Sequence, residues 1–410
     1  MNMNTPGSTT PAASFKRLEE RYFYSLVAAG LVVLLAGLSA FHHTETHGHI
    51  VTGMNNQIVW GLPHVFAIFL IVAASGVLNI ASIGSVFGQT IYKARAPLSG
   101  LLSIAMLAGG LMVLLLDLGR PDRLIVAATH YNFKSIFTWN IFLYSGLFAI
   151  VGIYLWTMME RKMNPWSKKA GLAAFLWRLI LTTGTGSIFG FLVARQGFGS
   201  AILAPMFILM SFAWGLAVFY LAQASMFAWN GLELHPSIHR RMRNLLGVFV
   251  AGTFYFVLTF HVTNLYFARQ IEFEQFILSG NNIYSQLLWF GYLLTGTILP
   301  LILIFHPALG TQKAMIMASV LVLVGAVALL YSFIIGGQAF PLEIFSGYQT
   351  TSAFGDGQVG IYHPSAAEFF LGLGGIATAF LITIIGVRVL HFLPEDDLRD
   401  LEARLVQRNH

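Results

Sequence analysis

Ten long apolar runs constrain the fold of this chain more than any other feature of its sequence. A helix that crosses a membrane needs about 20 mostly apolar residues, and every run is long enough. The runs cover residues 22–41, 60–84, 98–117, 136–159, 170–193, 201–229, 245–268, 283–306, 313–335 and 364–391. Only 10% of the residues are charged, whereas a soluble domain averages about 25%, so most of the apolar surface must face lipid. The sequence therefore predicts an all-α integral membrane protein of about ten transmembrane helices.

The lysines and arginines predict how the chain is oriented, because cytoplasmic loops are enriched in both. With the N-terminus inside, 17 basic residues fall on the cytoplasmic side and five on the outer side, while Arg178 lies within the fifth run. The prediction is a bacterial inner-membrane protein with both termini in the cytoplasm. Since the net charge of +6 comes mainly from these loops, it does not indicate binding to nucleic acid.

Composition divides the chain into three regions. Residues 1–21 begin with an uncharged segment rich in Ser, Thr, Pro and Asn, which is typical of a cytoplasmic lead rather than a cleavable signal peptide. Residues 22–391 form the membrane domain, and residues 392–410 form a charged tail with leucines at helical spacing. That tail is predicted to be an amphipathic helix on the cytoplasmic surface.

A pattern of four residues recurs 150 residues along the chain and indicates an internal duplication. Its two copies are Asn132, Ser135, Trp139 and Gly146, and Asn282, Ser285, Trp289 and Gly296. Four predicted spans separate the copies, so both would have the same orientation, as in known parallel repeats of membrane proteins. The prediction is two parallel four-helix bundles, about 60–193 and 201–335, flanked by the first and last helices. Chance matching between apolar segments is the alternative.

Cysteine is absent from the chain, and this excludes several kinds of chemistry. Disulfides, thiol catalysis, iron–sulfur ligation and covalent haem attachment all need cysteine. An iron–sulfur electron carrier that works with this chain must therefore lie on another subunit.

Four ionisable residues are predicted to lie in the outer third of the membrane. They are His64, Asp117, His261 and Glu368, each on a different predicted span. A charged group costs about 2.5–3.5 kcal/mol at the centre of a span on insertion scales, so each is a functional candidate by default. Their similar depth predicts one shared polar site. Arg178 is a candidate for a proton path, or it could extend to the cytoplasmic surface.

Each of the four outer residues also has a structural explanation. His64 could satisfy backbone groups freed by a kink at the proline before it, and Asp117 could pair with Arg120 one turn further on. His261 could be a core histidine, and Glu368 could lie passively among the lipid head groups.

A polar site of this composition is suited to a quinone. Interconversion of quinone and quinol moves two electrons and two protons, so the ring oxygens need hydrogen-bond partners that also carry protons. Imidazole and buried carboxyl groups do both, and the openings between helices would admit the isoprenoid tail. The leading prediction is therefore a quinone-binding membrane subunit. The alternatives are a secondary transporter or proton channel, which would place its polar site near the midplane, and a structural anchor for other subunits.

Two segments resemble a known family. The segment 117–123 (DLGRPDR) resembles the signature of the NrfD family of polysulfide-reductase (PsrC) membrane subunits. The segment 336–345 (GGQAFPLEIF) resembles its ten-helix branch, in particular the DsrP subunit of the sulfur-metabolism complex DsrMKJOP, with HybB-like hydrogenase subunits as second choice. Asp117 and Arg120 match the first motif, whereas His64 matches the family's quinone site by position only.

The resemblance implies a subunit that has no bound haem or iron–sulfur cluster of its own. It implies that menaquinone or ubiquinone binds near the outer face and exchanges electrons with a periplasmic iron–sulfur subunit docked there. In DsrMKJOP-like systems this partner would be a DsrO-like subunit, with cytochrome and further membrane subunits of the complex beyond it.

Two outer loops have interpretations of their own. The loop from 336 to 363 is long and lacks lysine and arginine, which favours a lid or docking role over a passive connection. The first outer loop contains Glu45 and four histidines, which could bind a metal, although surface histidines are commoner. The four are His42, His43, His47 and His49. A b-type haem held by His64 and His261 is a further alternative.

Overall fold

The computed structural model describes residues 15–16, 20, 22–86, 88, 90–232, 234–342 and 357–394. Within them, ten helices are long and apolar enough to cross a membrane. We number them α1 (Phe23–His47), α2 (Leu62–Ser85), α3 (Tyr92–Leu116), α4 (Ile136–Met159), α5 (Arg161–Gly190), α6 (Leu203–Trp229), α7 (Pro236–Tyr266), α8 (Ile283–Phe305), α9 (Gln312–Ala339) and α10 (Ala366–Leu390). The predicted all-α membrane fold is confirmed. We call the end at which α2 begins and α3 ends the outer end, after the predicted orientation.

The helices between the first and the last pack as two rings of four. In one ring α2 contacts α3 and α5, and α4 closes the ring by contacting both of these neighbours. In the other, α6 contacts α7 and α9, and α8 contacts both of these neighbours. Helices α1 and α10 pack on each other, and α10 also packs on α2 and α3. The sequence repeat and its units, 60–193 and 201–335, stay a prediction, because neighbouring helices do not by themselves demonstrate duplication.

Helix α2 lies at the centre of the molecule. In its most apolar stretch, 94% of α2 is buried, whereas only 11% of the corresponding stretch of α1 is buried, because α1 lies at the periphery. The two rings meet where α2 crosses α6, and Gly76 faces Gly215 at that point. A Cβ atom at Gly76 would overlap the carbonyl of Ser211, so the two backbones approach this closely only because small residues lie at the crossing.

Helix α1 is longer than the sequence predicted. It continues to His47, so His42, His43 and His47 lie on a helix and not in a flexible loop. The hydroxyl of Thr44 donates to a carbonyl one turn earlier, and Gly48, with φ of 79°, ends the helix. The predicted loop of clustered histidines is therefore wrong for these three residues.

The outer end of α9 also extends further than predicted. Residues 336–339 belong to the helix and not to the following loop. Residues 343–356 of that loop, and the predicted tail helix beyond 394, lie outside the described residues. Phe15–Lys16 pairs with Leu393–Pro394 in a two-residue antiparallel bridge, so the chain enters and leaves the bundle on the same side, as an even number of spans requires.

Candidate functional site

Helices α2 and α3 bring His64 and Asp117 together at the outer end. Pro63 occupies the first turn of α2, where a missing N–H costs no hydrogen bond. The proline therefore starts the helix, and the explanation of His64 by a proline kink is not supported. Asp117 directly follows the last residue of α3. His64 Nδ1 lies 2.9 Å from Asp117 Oδ2.

This pair is buried on its carboxylate side and accessible on its imidazole side. The side chain of Asp117 is 3% exposed, and that of His64 is 19% exposed. A buried carboxylate is costly unless it is paired, so the contact fixes the orientation of the imidazole ring. Because Nδ1 is buried against Asp117, Nε2 is the ring nitrogen that can meet a ligand.

Aromatic rings form a wall beside His64. The indole of Trp60 stacks on the imidazole, with ring centroids 6.0 Å apart and planes inclined at 26°. Phe137 and Phe189 meet the indole edge-on at 6.4 Å and 5.7 Å. Apolar walls with a few oriented polar groups are typical of sites for small ligands.

Glu368 supports the beginning of α2 from the first turn of α10. Its Oε1 accepts a hydrogen bond from the Tyr362 hydroxyl at 2.6 Å. Its Oε2 accepts from the backbone N–H groups of Gly53 and Ser365, each at 2.8 Å. The Tyr362 oxygen accepts in turn from the N–H of Leu62 at 2.6 Å, and burial together with the bond to Glu368 raises the pKa of Tyr362. The hydroxyl therefore stays a donor, and Glu368 is part of a buried network rather than a passive head-group residue.

His261 lies in the second ring, with partners that were not predicted. Its Nδ1 lies 2.7 Å from Glu274 Oε2, and Asn264 Nδ2 donates to Glu274 Oε1 at 2.7 Å. Glu274 is fully buried and lies on the short helix Ile271–Leu278 between α7 and α8. The molecule thus contains a second imidazole–carboxylate pair.

Aromatic side chains lie between the two pairs. Phe189, beside Trp60, contacts Phe333 at 5.1 Å between centroids, and Phe333 contacts Phe260 at 6.1 Å. Phe260 is the neighbour of His261. The structure thus divides the predicted residues among separate groups rather than one shared site. The alternative of a haem held by His64 and His261 stays a prediction.

Arg120 pairs with Asp122 rather than with Asp117. Its Nη2 lies 2.9 Å from Asp122 Oδ2, and both side chains are more than half exposed. The hydrogen bond raises the pKa of Arg120 and lowers that of Asp122. The structure therefore places Arg120 on the surface beside the site and leaves His64 as the partner of Asp117.

Arg178 lies halfway along α5 and is 1% exposed. Its guanidinium packs over the rings of Phe175 and Phe212, at 4.9 Å and 5.1 Å. Nε and Nη1 have no hydrogen-bond partner within the part of the chain that the structure describes. Because the side chain is enclosed by α5 and α6, it does not extend to the membrane surface as one alternative proposed.

Glu274, Asn264 and Tyr362 were not among the predicted site residues. Glu274 and Tyr362 lie outside the predicted spans, so an argument from the cost of burying charge in lipid did not reach them. The sequence feature that could have identified Glu274 is its position as a carboxylate in a short amphipathic stretch between two spans. Asn264 carries no charge and gave no signal of this kind.

In the part of the chain that the structure describes, ten helices are long and apolar enough to cross a membrane, and they define a multi-pass membrane protein. Residues 50–342 match the model of the family described as Polysulphide reductase, NrfD. The match covers more than half of the chain and includes both imidazole–carboxylate pairs, so the chain belongs to the NrfD family.

Named relatives match nearly the whole chain. It is 28% identical to the Hdr-like menaquinol oxidoreductase integral membrane subunit of Archaeoglobus fulgidus, over 94% of this chain and 98% of that protein. It is 25% identical to a putative dimethyl sulfoxide reductase membrane subunit of Halobacterium salinarum, over 88% and 89%. It is 21% identical to a selenate reductase subunit of Mesobacillus selenatarsenatis, over 87% and 92%. These relatives are named as subunits of oxidoreductases with different substrates.

Proposed function

We propose that this chain is the quinone-binding membrane subunit of a respiratory electron-transfer complex, and that His64 and Asp117 bind the quinone head group. The observation that carries the proposal is an accessible imidazole oriented by a buried carboxylate, beside the ring of Trp60. The relative named as a menaquinol oxidoreductase subunit supports a quinone as the ligand.

The geometry suits transfer of both protons of a quinol. Oxidation of a quinol to a quinone releases two electrons and two protons. His64 Nε2 accepts a proton from a ring hydroxyl, and Asp117 at Nδ1 stabilises the imidazolium that forms. The second proton follows by the same route once the first has left the imidazole. Quinone reduction uses the same groups in the opposite direction.

The electrons must pass to or from another subunit, because the chain has no cysteine with which to hold an iron–sulfur cluster. We propose a periplasmic iron–sulfur subunit of the DsrO type at the outer end, where His64 lies, and both termini of this chain in the cytoplasm. A DsrP-like role in sulfur metabolism is the finer proposal. The relatives support a subunit of a larger oxidoreductase but have varied substrates.

A cross-linking experiment tests the site. The purified complex is illuminated with an azidoquinone, and the labelled peptides are identified by mass spectrometry. We expect label between residues 54 and 64 and near residue 117, and we expect excess menaquinol to abolish it. Label confined to α7–α9, or label that menaquinol does not displace, would contradict the proposal.

Proton translocation is a second candidate function, and Arg178 is the observation that favours it. A cation buried halfway across a membrane helix is costly and marks ion pathways, and two of its nitrogens lack protein partners in the described structure. Arg178→Gln in proteoliposomes tests it. Loss of proton uptake with quinol turnover intact would support this function, and unchanged proton uptake would contradict it.

A further inference from the structure

We infer that Gln338, at the outer end of α9, is a positioning residue for the quinone site and acts by fixing Trp60. The inference rests on the proposed function, because it concerns the indole beside His64. Gln338 is 2% exposed. It belongs to the GGQAF segment that the sequence singled out and that the proposed chemistry leaves unused.

All four hydrogen-bonding positions of the Gln338 side-chain amide are occupied. Its Oε1 accepts from the N–H groups of Val59 and Trp60, each at 3.0 Å. Its Nε2 donates to the carbonyls of Trp60 at 3.0 Å and Ile334 at 2.9 Å. One side chain thus pairs with both the N–H and the C=O of Trp60, as a neighbouring strand would. The segment before α2 is not helical, so its backbone groups need such partners.

The last carbonyls of α9 also hold the non-helical segment that precedes α2. Carbonyls at a helix C-terminus have no partner within the helix. The carbonyl of Gln338 accepts from Arg195 Nη1 at 2.8 Å, and Arg195 Nη2 donates to the carbonyl of Gln57 at 2.8 Å. The carbonyl of Ala339 accepts from Gln57 Nε2 at 3.1 Å. The end of α9 therefore fixes the backbone that leads into α2.

Gly337 lets the end of α9 approach the aromatic wall. A Cβ atom at this position would lie 2.7 Å from the ring of Phe198, which contacts Phe189 at 5.3 Å between centroids. Phe189 is the ring that meets Trp60 edge-on. A side chain at Gly337 would have to displace the Phe198 ring or move α9 away from this wall.

Quinol binding and the proton-transfer step depend on residues that are held by different helices. Trp60 is held from the second ring through Gln338, whereas His64 and Asp117 are held by α2 and α3. Loss of the Gln338 amide should loosen the indole wall and leave the imidazole–carboxylate pair in place. We therefore expect weaker quinol binding with little change in the rate of the chemical step.

The test uses three variants of the purified complex. Gln338→Met keeps the length and volume of the side chain but removes its four hydrogen bonds. Gln338→Glu keeps an oxygen that accepts from the two N–H groups, but it replaces the donating nitrogen with an acceptor that faces the carbonyls of Trp60 and Ile334. Gln223→Leu is the control, because Gln223 is another buried glutamine of a membrane helix whose amide has no partner among the described residues. Two quantities are measured, the KM and kcat for quinol and the hydrogen–deuterium exchange of the peptide containing Val59 and Trp60.

We expect Gln338→Met to speed exchange of this peptide and to raise the KM for quinol about threefold, which is less than the effect of losing the Trp60 ring altogether. We expect kcat to stay within about twofold, since the reacting groups are untouched. Gln338→Glu should speed exchange and raise the KM at least as much, because its second oxygen faces two carbonyls that the amide donated to, whereas Gln223→Leu should resemble the parent protein. If Gln338→Met does not assemble, Gln338→Asn takes its place, because it keeps the amide but cannot reach Trp60.

Two results would overturn the inference. One is unchanged exchange of the peptide in Gln338→Met, and the other is a fall in kcat with an unchanged KM. Failure of the proposed function gives a different result, in which the parent complex does not turn over quinol but the Gln338 variant still exchanges faster at Trp60.

Discussion

The two imidazole–carboxylate pairs share one chemistry but differ in what surrounds them. The N···O distances are similar, 2.9 Å for His64–Asp117 and 2.7 Å for His261–Glu274. In the second pair both carboxylate oxygens are occupied, since Asn264 donates to the one that the imidazole does not contact. In the first pair, His64 Nδ1 and Asp117 Oδ2 are within ion-pair distance, but neither atom has a hydrogen-bond partner among the described residues.

Polar atoms that lack a hydrogen-bond partner distinguish a candidate ligand-binding pair from a pair with a structural role. Glu274 is enclosed, and its bonds fix the short helix Ile271–Leu278 on α7. The cavity next to His261 is lined almost entirely by apolar side chains, and Ser332 is its other polar neighbour. The first pair instead presents a partly exposed imidazole beside an indole. We therefore propose that the first pair binds the ligand and that the other pair stabilises the second ring.

Asp117→Asn should produce the largest difference between the two pairs. An amide cannot stabilise the imidazolium that forms when His64 accepts a proton, so we expect quinol-dependent turnover to fall about 100-fold or more. The measurement is quinol turnover by the purified complex, normalised to folded protein.

Glu274→Gln is the matched control, because it makes the same carboxylate-to-amide change in the second pair. We expect its turnover to stay within about threefold of the parent protein. Equal losses in the two variants would show that the pairs have the same role and would remove the basis for assigning the ligand to one of them.

Glu274→Ala should have the larger effect on stability. Its loss leaves His261 and Asn264 buried without their partner, and an unpaired buried polar group costs about 1–3 kcal/mol. We expect a lower Tm in detergent than for Asp117→Ala, in which the His64 side chain remains partly exposed. A Glu274→Ala protein with the parent Tm would contradict the structural role.

Trp60→Leu should have an intermediate effect on binding. Aromatic stacking contributes about 0.5–1.5 kcal/mol beyond burial, so we expect the KM for quinol to rise about fivefold with kcat nearly unchanged. Trp139→Leu is the control, because this indole is 49% exposed on α4 and its ring contacts are with Phe133 and Phe142. Equal shifts in KM for both variants would indicate a general effect of losing an indole.

Arg120→Ala should have the smallest effect, although Arg120 belongs to the family motif. Exposed ion pairs contribute about 0–1 kcal/mol, and Arg120 pairs with the exposed Asp122. We expect turnover within about twofold at low and high salt. A tenfold loss that salt enhances would instead show that Arg120 contacts the ligand or a partner subunit.

The two pairs also show which features of the site can be predicted from the sequence. It predicted ten membrane helices and selected His64 and Asp117 as candidates, because the cost of placing charge in lipid can be evaluated for each residue from its own segment. It grouped His261 and Glu368 with them because all four have a similar depth. The structure places His261 in the second ring, whereas Glu368 supports the beginning of α2 through Tyr362, because residues at equal depth can face different neighbours.

The sequence could therefore not predict which of these residues contact each other in the folded protein. Hydrophobic length is a local property, so the number of helices and the residues costly to bury were determined by the chain alone. The rotation of each helix and the residues that it presents to its neighbours depend on distant close contacts, such as Gly76 against Gly215. Only the tertiary structure could show that Gln338 holds Trp60, because the two residues are 278 positions apart and meet through packing, not through any local pattern.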